Sequence, residues 1–192
     1  AVIIAMACAQ ADEPKVGATK AFRWDTVQAV TPPVDQGACQ ASKAFAGVTC
    51  YETEYYRQTA TLVPLSVQYE LDCTGTTDCS YTPIDYKKME TMMQKFADLG
   101  IPRDADYPYT AGSNGSVSLN NLKCTTLTKT KCPNPVKLHK KYKASTGTMK
   151  SWIARNPVAG LIYDPNFAIF NTATGNSVVV CTSNSPKDTE LN

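Results

Sequence analysis

The sequence is poor in histidine, because His139 is the single histidine among 192 residues. It also lacks any two cysteines at C-x-x-C spacing, although eight cysteines are present. Protein zinc sites are built from clustered cysteine and histidine ligands. We therefore expect no metal site and no cofactor.

Neither an excess of one charge nor a long apolar run is present. The 19 basic and 17 acidic residues are interspersed and leave a net charge of +2. This balance argues against a nucleic-acid partner. The one basic run, Lys137 to Lys143, is typical of the solvated face of a strand. No stretch approaches the roughly 20 apolar residues of a bilayer-spanning helix, so no membrane span is expected.

An even and high number of cysteines favours disulfides, and disulfides favour a secreted, extracellular or endolysosomal protein. An intracellular assembly is the alternative location, and it would weaken the disulfide prediction. One N-glycosylation pattern, Asn114-Gly115-Ser116, lies in a polar stretch and agrees with secretion.

The first eleven residues are apolar and end in a small-x-small pattern at Ala9-Gln10-Ala11. Two interpretations are open. The segment is either the remnant of a secretory signal or an apolar strand that packs on the body of the protein.

Helical periodicity is strongest after the turn Asp35-Gln36-Gly37. Apolar residues at three- and four-residue steps predict a helix that opens near Ser42 and buries one face. These residues are Ala44, Phe45, Val48, Tyr51 and Tyr55. Ser66 is predicted to cap a short helix that carries Leu71.

A second amphipathic helix is predicted over Ile84 to Leu99, with Gly100 as its stop. Its apolar side is Met89, Met92, Met93, Phe96 and Leu99. Farther along, Ala111 to Pro135 is predicted to be a loop pinned by Cys124 and Cys132. Strands are predicted over 136–142, 157–163 and 177–181, with a short helix over 149–155.

The segment Val34 to Tyr55 resembles the nucleophile segment of papain-like cysteine proteases (cathepsins), Q-G-x-C-G-S-C-W-A-F-S. The stretches 22–37, 62–73 and 100–109 also resemble family motifs: the mature start, L-V-x-L-S-E-Q-x-L-V-D-C and G-I-x-x-E-x-x-Y-P-Y. The resemblance implies an α+β fold with a helical left lobe and an incomplete antiparallel β-barrel right lobe. The expected divisions are an amino-terminal segment and linker (1–20), a helical lobe (21–110), a polar crossover loop (111–135) and a partial β lobe (136–192).

The resemblance also implies disulfides. Cys39 should pair with Cys79, and Cys73 should pair with Cys124. The remaining cysteines have no assured partners. They are Cys8, Cys50, Cys132 and Cys181.

The same resemblance implies a degenerate catalytic site. Ser42 occupies the position of the family's nucleophilic cysteine, Gln36 that of its oxyanion-hole glutamine, and Lys43 that of its tryptophan. Tyr81 stands where the family has glycines along which a peptide substrate lies. We favour Ser42 as a helix cap over Ser42 as a nucleophile, because a serine hydroxyl needs a general base. The family's histidine follows the position of Cys181, whereas His139 precedes it in a predicted strand.

These features predict a non-catalytic homologue, not an enzyme, that acts as a structural or protein-binding module in a larger assembly. One alternative is a serine-variant hydrolase that resembles silicateins and takes its histidine from a partner chain. Another is the amino-terminal part of a two-chain peptidase. Since the 192 residues contain no counterpart of the family's last barrel strands, we expect a protein partner or the chain's own amino-terminal strand to cover the incomplete β lobe.

Overall fold

The computed structural model describes residues 4–9, 27–75, 78–80, 86–115, 117, 121–141 and 157–161. The helices are Ser42–Thr59 (α1), Val67–Tyr69 (α2, continued by a π-helical turn at Glu70–Thr74), Tyr86–Leu99 (α3), Ala111–Asn114 (α4) and Asn121–Thr126 (α5). A 3-10 turn spans Asp104–Asp106, and the strands are Ile4–Ala9 (β1), Lys137–Lys141 (β2) and Val158–Leu161 (β3). The predicted helix at 149–155 and strand at 177–181 lie outside the described residues.

Helix α1 is central to the described part of the chain. Its buried residues include the predicted Ala44, Val48 and Tyr51, whereas Phe45 and Tyr55 are only partly buried. Its second half is buried on consecutive positions, including Glu52, Thr53 and Glu54, because other segments surround it. The helix ends where Ala60 adopts a left-handed conformation, and the Ala60 N–H donates to Tyr56 O at 2.7 Å.

Helix α3 packs against α1 through the predicted apolar side. Met92, Met93 and Phe96 are fully buried, and the Phe96 ring meets the Tyr51 ring edge-on at 5.9 Å. Gly100 ends the helix at φ +76°, as predicted. The placement of Leu99 on the buried side was wrong, since Leu99 is 58% exposed. It is the last residue of the helix, directly before Gly100.

The short helix α2 begins as predicted. Ser66 is its N-cap, and its hydroxyl accepts a hydrogen bond from the Tyr69 N–H at 2.9 Å. Leu71, in the π-helical continuation, is almost completely buried. This segment is therefore fixed both by its cap and by its packing.

The stretch 111–135 is not a plain loop, which corrects the prediction. It contains α4 and α5, which the lack of apolar periodicity concealed because both helices are shorter than two turns. Cys124 anchors the stretch through a disulfide to Cys73. Cys132 makes no disulfide; its backbone N–H donates to the Tyr51 hydroxyl at 3.1 Å instead.

The amino-terminal strand β1 lies in the middle of a three-stranded antiparallel sheet of order β2-β1-β3. Ala7 is opposite both His139 in β2 and Val158 in β3. Helix α1 contacts β1 and β3. Residues 4–9 of the amino-terminal segment form this strand.

Among the helices of the described ranges, none combines the length and apolar character that crossing a bilayer requires.

Candidate functional site

The turn before α1 requires glycine at residue 37. The Gly37 N–H donates to Asp35 Oδ1 at 2.8 Å, and Gly37 has a φ of +59°. A Cβ at this position would lie 2.3 Å from the Gly112 carbonyl oxygen. Only glycine therefore combines this backbone conformation with so close an approach of α4.

The turn is held against the segment that precedes and forms α4. The Ala38 N–H donates to Gly112 O at 2.9 Å, and the Tyr109 hydroxyl donates to Gln36 O at 2.8 Å. The Tyr109 ring also meets the Phe45 ring edge-on at 5.0 Å. Burial, and secondarily the charge of Asp35, raises the pKa of Tyr109, so the hydroxyl stays protonated and donates.

A disulfide fixes the other side of the turn. Cys39 is fully buried and is bonded to Cys79. Next to it, the Gln40 N–H donates to Cys79 O at 3.2 Å. This pair and Cys73–Cys124 are the two pairs that the family resemblance implies.

Ser42 is the first residue of α1 and is exposed. The favoured interpretation of Ser42 as the N-cap was wrong, because Ala41 holds that position and no side chain caps the helix. The structure thus places the serine hydroxyl one residue farther into the helix than a cap. An N-cap side chain needs an extended backbone, which Ser42 lacks once it has joined the helix.

The other predicted site residues lie in different elements. Gln36 is partly buried beside the turn, and Lys43 is partly buried in the first turn of α1. Tyr81 lies outside the described residues. Asn114 is the last residue of α4, and His139 is in β2.

Cys132 does not offer a replacement nucleophile. It is a free thiol, and it is only 6% exposed. Burial raises its pKa to about 11, which leaves almost no thiolate at neutral pH. In the part of the chain that is described, no cluster of three or more His, Cys, Asp or Glu side chains could hold a metal ion.

A buried polar network beneath the site was missed by the sequence analysis. Gln68 Oε1 accepts from the N–H groups of Thr110 and Ala111 at 2.9 Å each, and Gln68 Nε2 donates to the Asp72 carboxylate at 3.1 Å. The Tyr107 hydroxyl also donates to Asp72, at 2.8 Å. The network thereby joins α2 to the start of α4, the helix to which the turn of the site is hydrogen-bonded.

The side chains of this network belong to the two stretches that resemble family motifs, since Gln68 and Asp72 lie in 62–73 and Tyr107 lies in 100–109. Motif similarity identified these residues, but it did not assign them partners. Burial and the Asp72 carboxylate raise the pKa of Tyr107 to about 12, so its hydroxyl remains a donor.

Glu52 is a buried carboxylate in the middle of α1. It accepts hydrogen bonds from the Leu65 N–H and the Thr31 hydroxyl, each at 2.7 Å. Desolvation raises its pKa despite both hydrogen bonds, and the charge of Asp104 adds to the shift. The folded protein therefore binds a proton at Glu52 more readily than the unfolded chain does.

We expect Glu52→Gln to change the pH dependence of stability. A raised folded-state pKa means that Glu52 costs stability as the pH rises from 4.5 through that pKa. The amide still accepts from Leu65 N–H, and its NH₂ group can donate to the Thr31 oxygen. The free energy of unfolding in urea is measured for both proteins at pH 7 and at a pH below 4.5. The difference, variant minus wild type, should be more positive at pH 7.

Glu90→Gln, on the partly exposed side of α3, is the control. Its stability relative to the wild type should change less between the two pH values. A Glu52→Gln difference that is independent of pH would contradict the assignment of the shift to Glu52.

Comparison with known proteins identifies the family. Residues 18–185 match the model of the papain family of cysteine proteases. The chain belongs to this family. Its fold class is papain-like, and its helical part agrees with the left lobe of a papain-like protease.

Papain-family relatives match about half of this chain. Cathepsin 7 of Rattus norvegicus is 35% identical over 99 residues, which are 48% of this chain and 28% of the relative. Testin-2 of Mus musculus is 37% identical over 90 residues, or 45% and 26% of the two chains. The chain thus spans little more than a quarter of the length of these papain-family relatives.

Solved papain-family structures include a Carica candamarcensis cysteine protease in complex with E-64. It is 26% identical to this chain, and the match covers 58% of this chain and 47% of the Carica protein, with a TM-score of 0.46.

The two disulfides fit an extracellular or lysosomal protein.

Proposed function

We propose that this chain is a non-catalytic papain-family protein, secreted or endolysosomal, that acts as a protein-binding or structural module. One observation carries the proposal: the first residue of α1, where the family resemblance places the nucleophilic cysteine, is Ser42. The protein therefore has the fold of a peptidase with a hydroxyl in place of a thiol.

The chemical difference is large. A cysteine at the start of a helix is held as a thiolate by the helix dipole and a neighbouring histidine. A serine hydroxyl keeps its proton at neutral pH, and it becomes a useful nucleophile only when a general base removes that proton. His139 is the one histidine of these 192 residues, and it belongs to β2.

The surroundings of Ser42 are nevertheless firmly held. The preceding turn is fixed by the Cys39–Cys79 disulfide and by hydrogen bonds from Ala38 and Tyr109. A firmly held surface that presents a hydroxyl in place of a thiol suits recognition without chemistry. A second protein is therefore the ligand class that we propose.

We expect the purified protein to neither hydrolyse fluorogenic peptides nor react with an epoxide probe for cysteine proteases. Ser42→Ala should leave peptide hydrolysis and probe labelling at the background level of the wild type, because the hydroxyl performs no chemistry. Ser113→Ala, another exposed serine, is the matched control. Turnover that survives repurification and is lost in Ser42→Ala alone would overturn the proposal.

That contrary result would support the second candidate, a serine-variant hydrolase. The observation in its favour is that Ser42 is exposed next to a turn that retains Gln36. Such an enzyme would still need a base, which a partner chain would supply. The intact mass of native material, with and without reduction, would reveal a disulfide-linked second chain.

A further inference from the structure

The short helix α4 ends in an N-glycosylation pattern. Asn114 is its last residue, followed by Gly115 and Ser116. Gly115 closes the helix in the left-handed conformation at φ +64°, and its N–H donates to Ala111 O at 2.8 Å. Regular helical structure therefore stops within the pattern itself.

Helix α4 lies at the surface of the protein. Ala111 at its start is buried, whereas Ser113 is exposed and Gly115 is partly exposed. The end of the helix that carries Asn114 thus emerges from the core.

The end of α4 also borders the candidate site. A Cβ built on Gly115 would lie 3.5 Å from the Ala38 Cβ, and the Ala38 N–H is bonded to Gly112 O. Ala38 belongs to the same turn as Gln36 and Gly37. The backbone of the last turn of α4 therefore lies beside this turn.

The disulfides supply an independent observation about the compartment. Cys39–Cys79 and Cys73–Cys124 imply that the chain folds in an oxidising environment. In eukaryotic secretory proteins, Asn-x-Ser patterns meet the glycosylating enzyme in such an environment. The chain contains one such pattern, at Asn114.

We propose that Asn114, the last residue of the helix whose Gly112 O is bonded to the turn at Ala38, carries an N-linked oligosaccharide. The donor is an oligosaccharide linked to a polyprenyl diphosphate. The Asn114 amide nitrogen forms a bond to C1 of the first sugar, the C1–O bond to the diphosphate breaks, and the amide nitrogen loses one proton as the diphosphate leaves. This inference is independent of whether Ser42 is catalytic.

The test is to express the full chain with a secretion signal in eukaryotic cells and to treat the purified protein with an amidase that removes N-glycans. The wild type should lose the mass of a single glycan, and digestion in water enriched in heavy oxygen should label residue 114. Protein that is retained in the cell is purified from the endomembrane fraction, so that poor export does not prevent the measurement.

Matched variants separate the pattern from the asparagine. Asn114→Gln and Ser116→Ala should both abolish the mass loss, whereas Ser116→Thr should keep it, because threonine preserves the pattern. Asn134→Gln changes an exposed asparagine outside any such pattern and should also keep it. Wild-type protein at its unmodified mass, or a mass loss that persists in Asn114→Gln, would overturn the proposal.

Discussion

Replacing Gln68 with methionine should lower the free energy of unfolding by about 3–5 kcal/mol. The substitution keeps the length of the side chain but removes both of its polar groups. It leaves the N–H groups of Thr110 and Ala111 without their acceptor and takes a donor from the buried Asp72 carboxylate. Each of these losses carries a desolvation cost of about 1–3 kcal/mol.

The chain offers a matched control on α3. Gln94 Nε2 donates to Asp98 Oδ1 at 2.9 Å, with the same four-residue spacing as Gln68 and Asp72, but both residues are exposed. Gln94→Met should change stability by no more than about 0.5 kcal/mol. Urea unfolding of both variants measures the difference, and equal costs would show that the buried network does not contribute as described.

Removing the Cys39–Cys79 disulfide by a double substitution to alanine should cost about 4 kcal/mol. The two cysteines are 40 residues apart, and a cross-link of that span restricts the unfolded chain by about this amount. The cost is measured by denaturant unfolding under oxidising conditions. A loss below about 1 kcal/mol would contradict the expected restriction of the unfolded chain by this disulfide.

The second disulfide is the control for local effects. Cys73 and Cys124 are 51 residues apart, so their removal should cost a similar amount by the same argument. The two variants should differ in hydrogen exchange. Faster exchange of the amides in residues 36–41 is expected when Cys39–Cys79 is removed, because that bond joins the turn before α1 directly to Cys79. Equal exchange in the two variants would mean that the turn is held by its hydrogen bonds alone.

The sequence predicted the long helices well because their apolar spacing was regular. The start of α1 at Ser42 and the burial of Met92, Met93 and Phe96 followed from periodicity. The two short helices α4 and α5 could not be predicted in this way, since four to six residues do not establish a period.

The site was predicted from similarity to a family, so the prediction was limited to what matching positions reveal. Similarity predicted both disulfide pairs, which the structure contains, and the site positions of Ser42 and Gln36, which stay predictions. It did not show which residue caps α1. It also did not show that Gln68 and Tyr107 converge on Asp72, because such contacts join segments far apart in the chain. Burial of Glu52 was likewise hidden, since a glutamate within a helix is typically on the solvated face.

The central position of β1 has a consequence for biosynthesis. Its partners β2 and β3 lie near the other end of the described chain, so this strand emerges from the ribosome long before either neighbour exists. At about 5–20 residues per second, the delay before β3 is made is on the order of 10 s. During this interval the amino-terminal segment has no strand partner, so the sheet can form only after most of the chain has been synthesised.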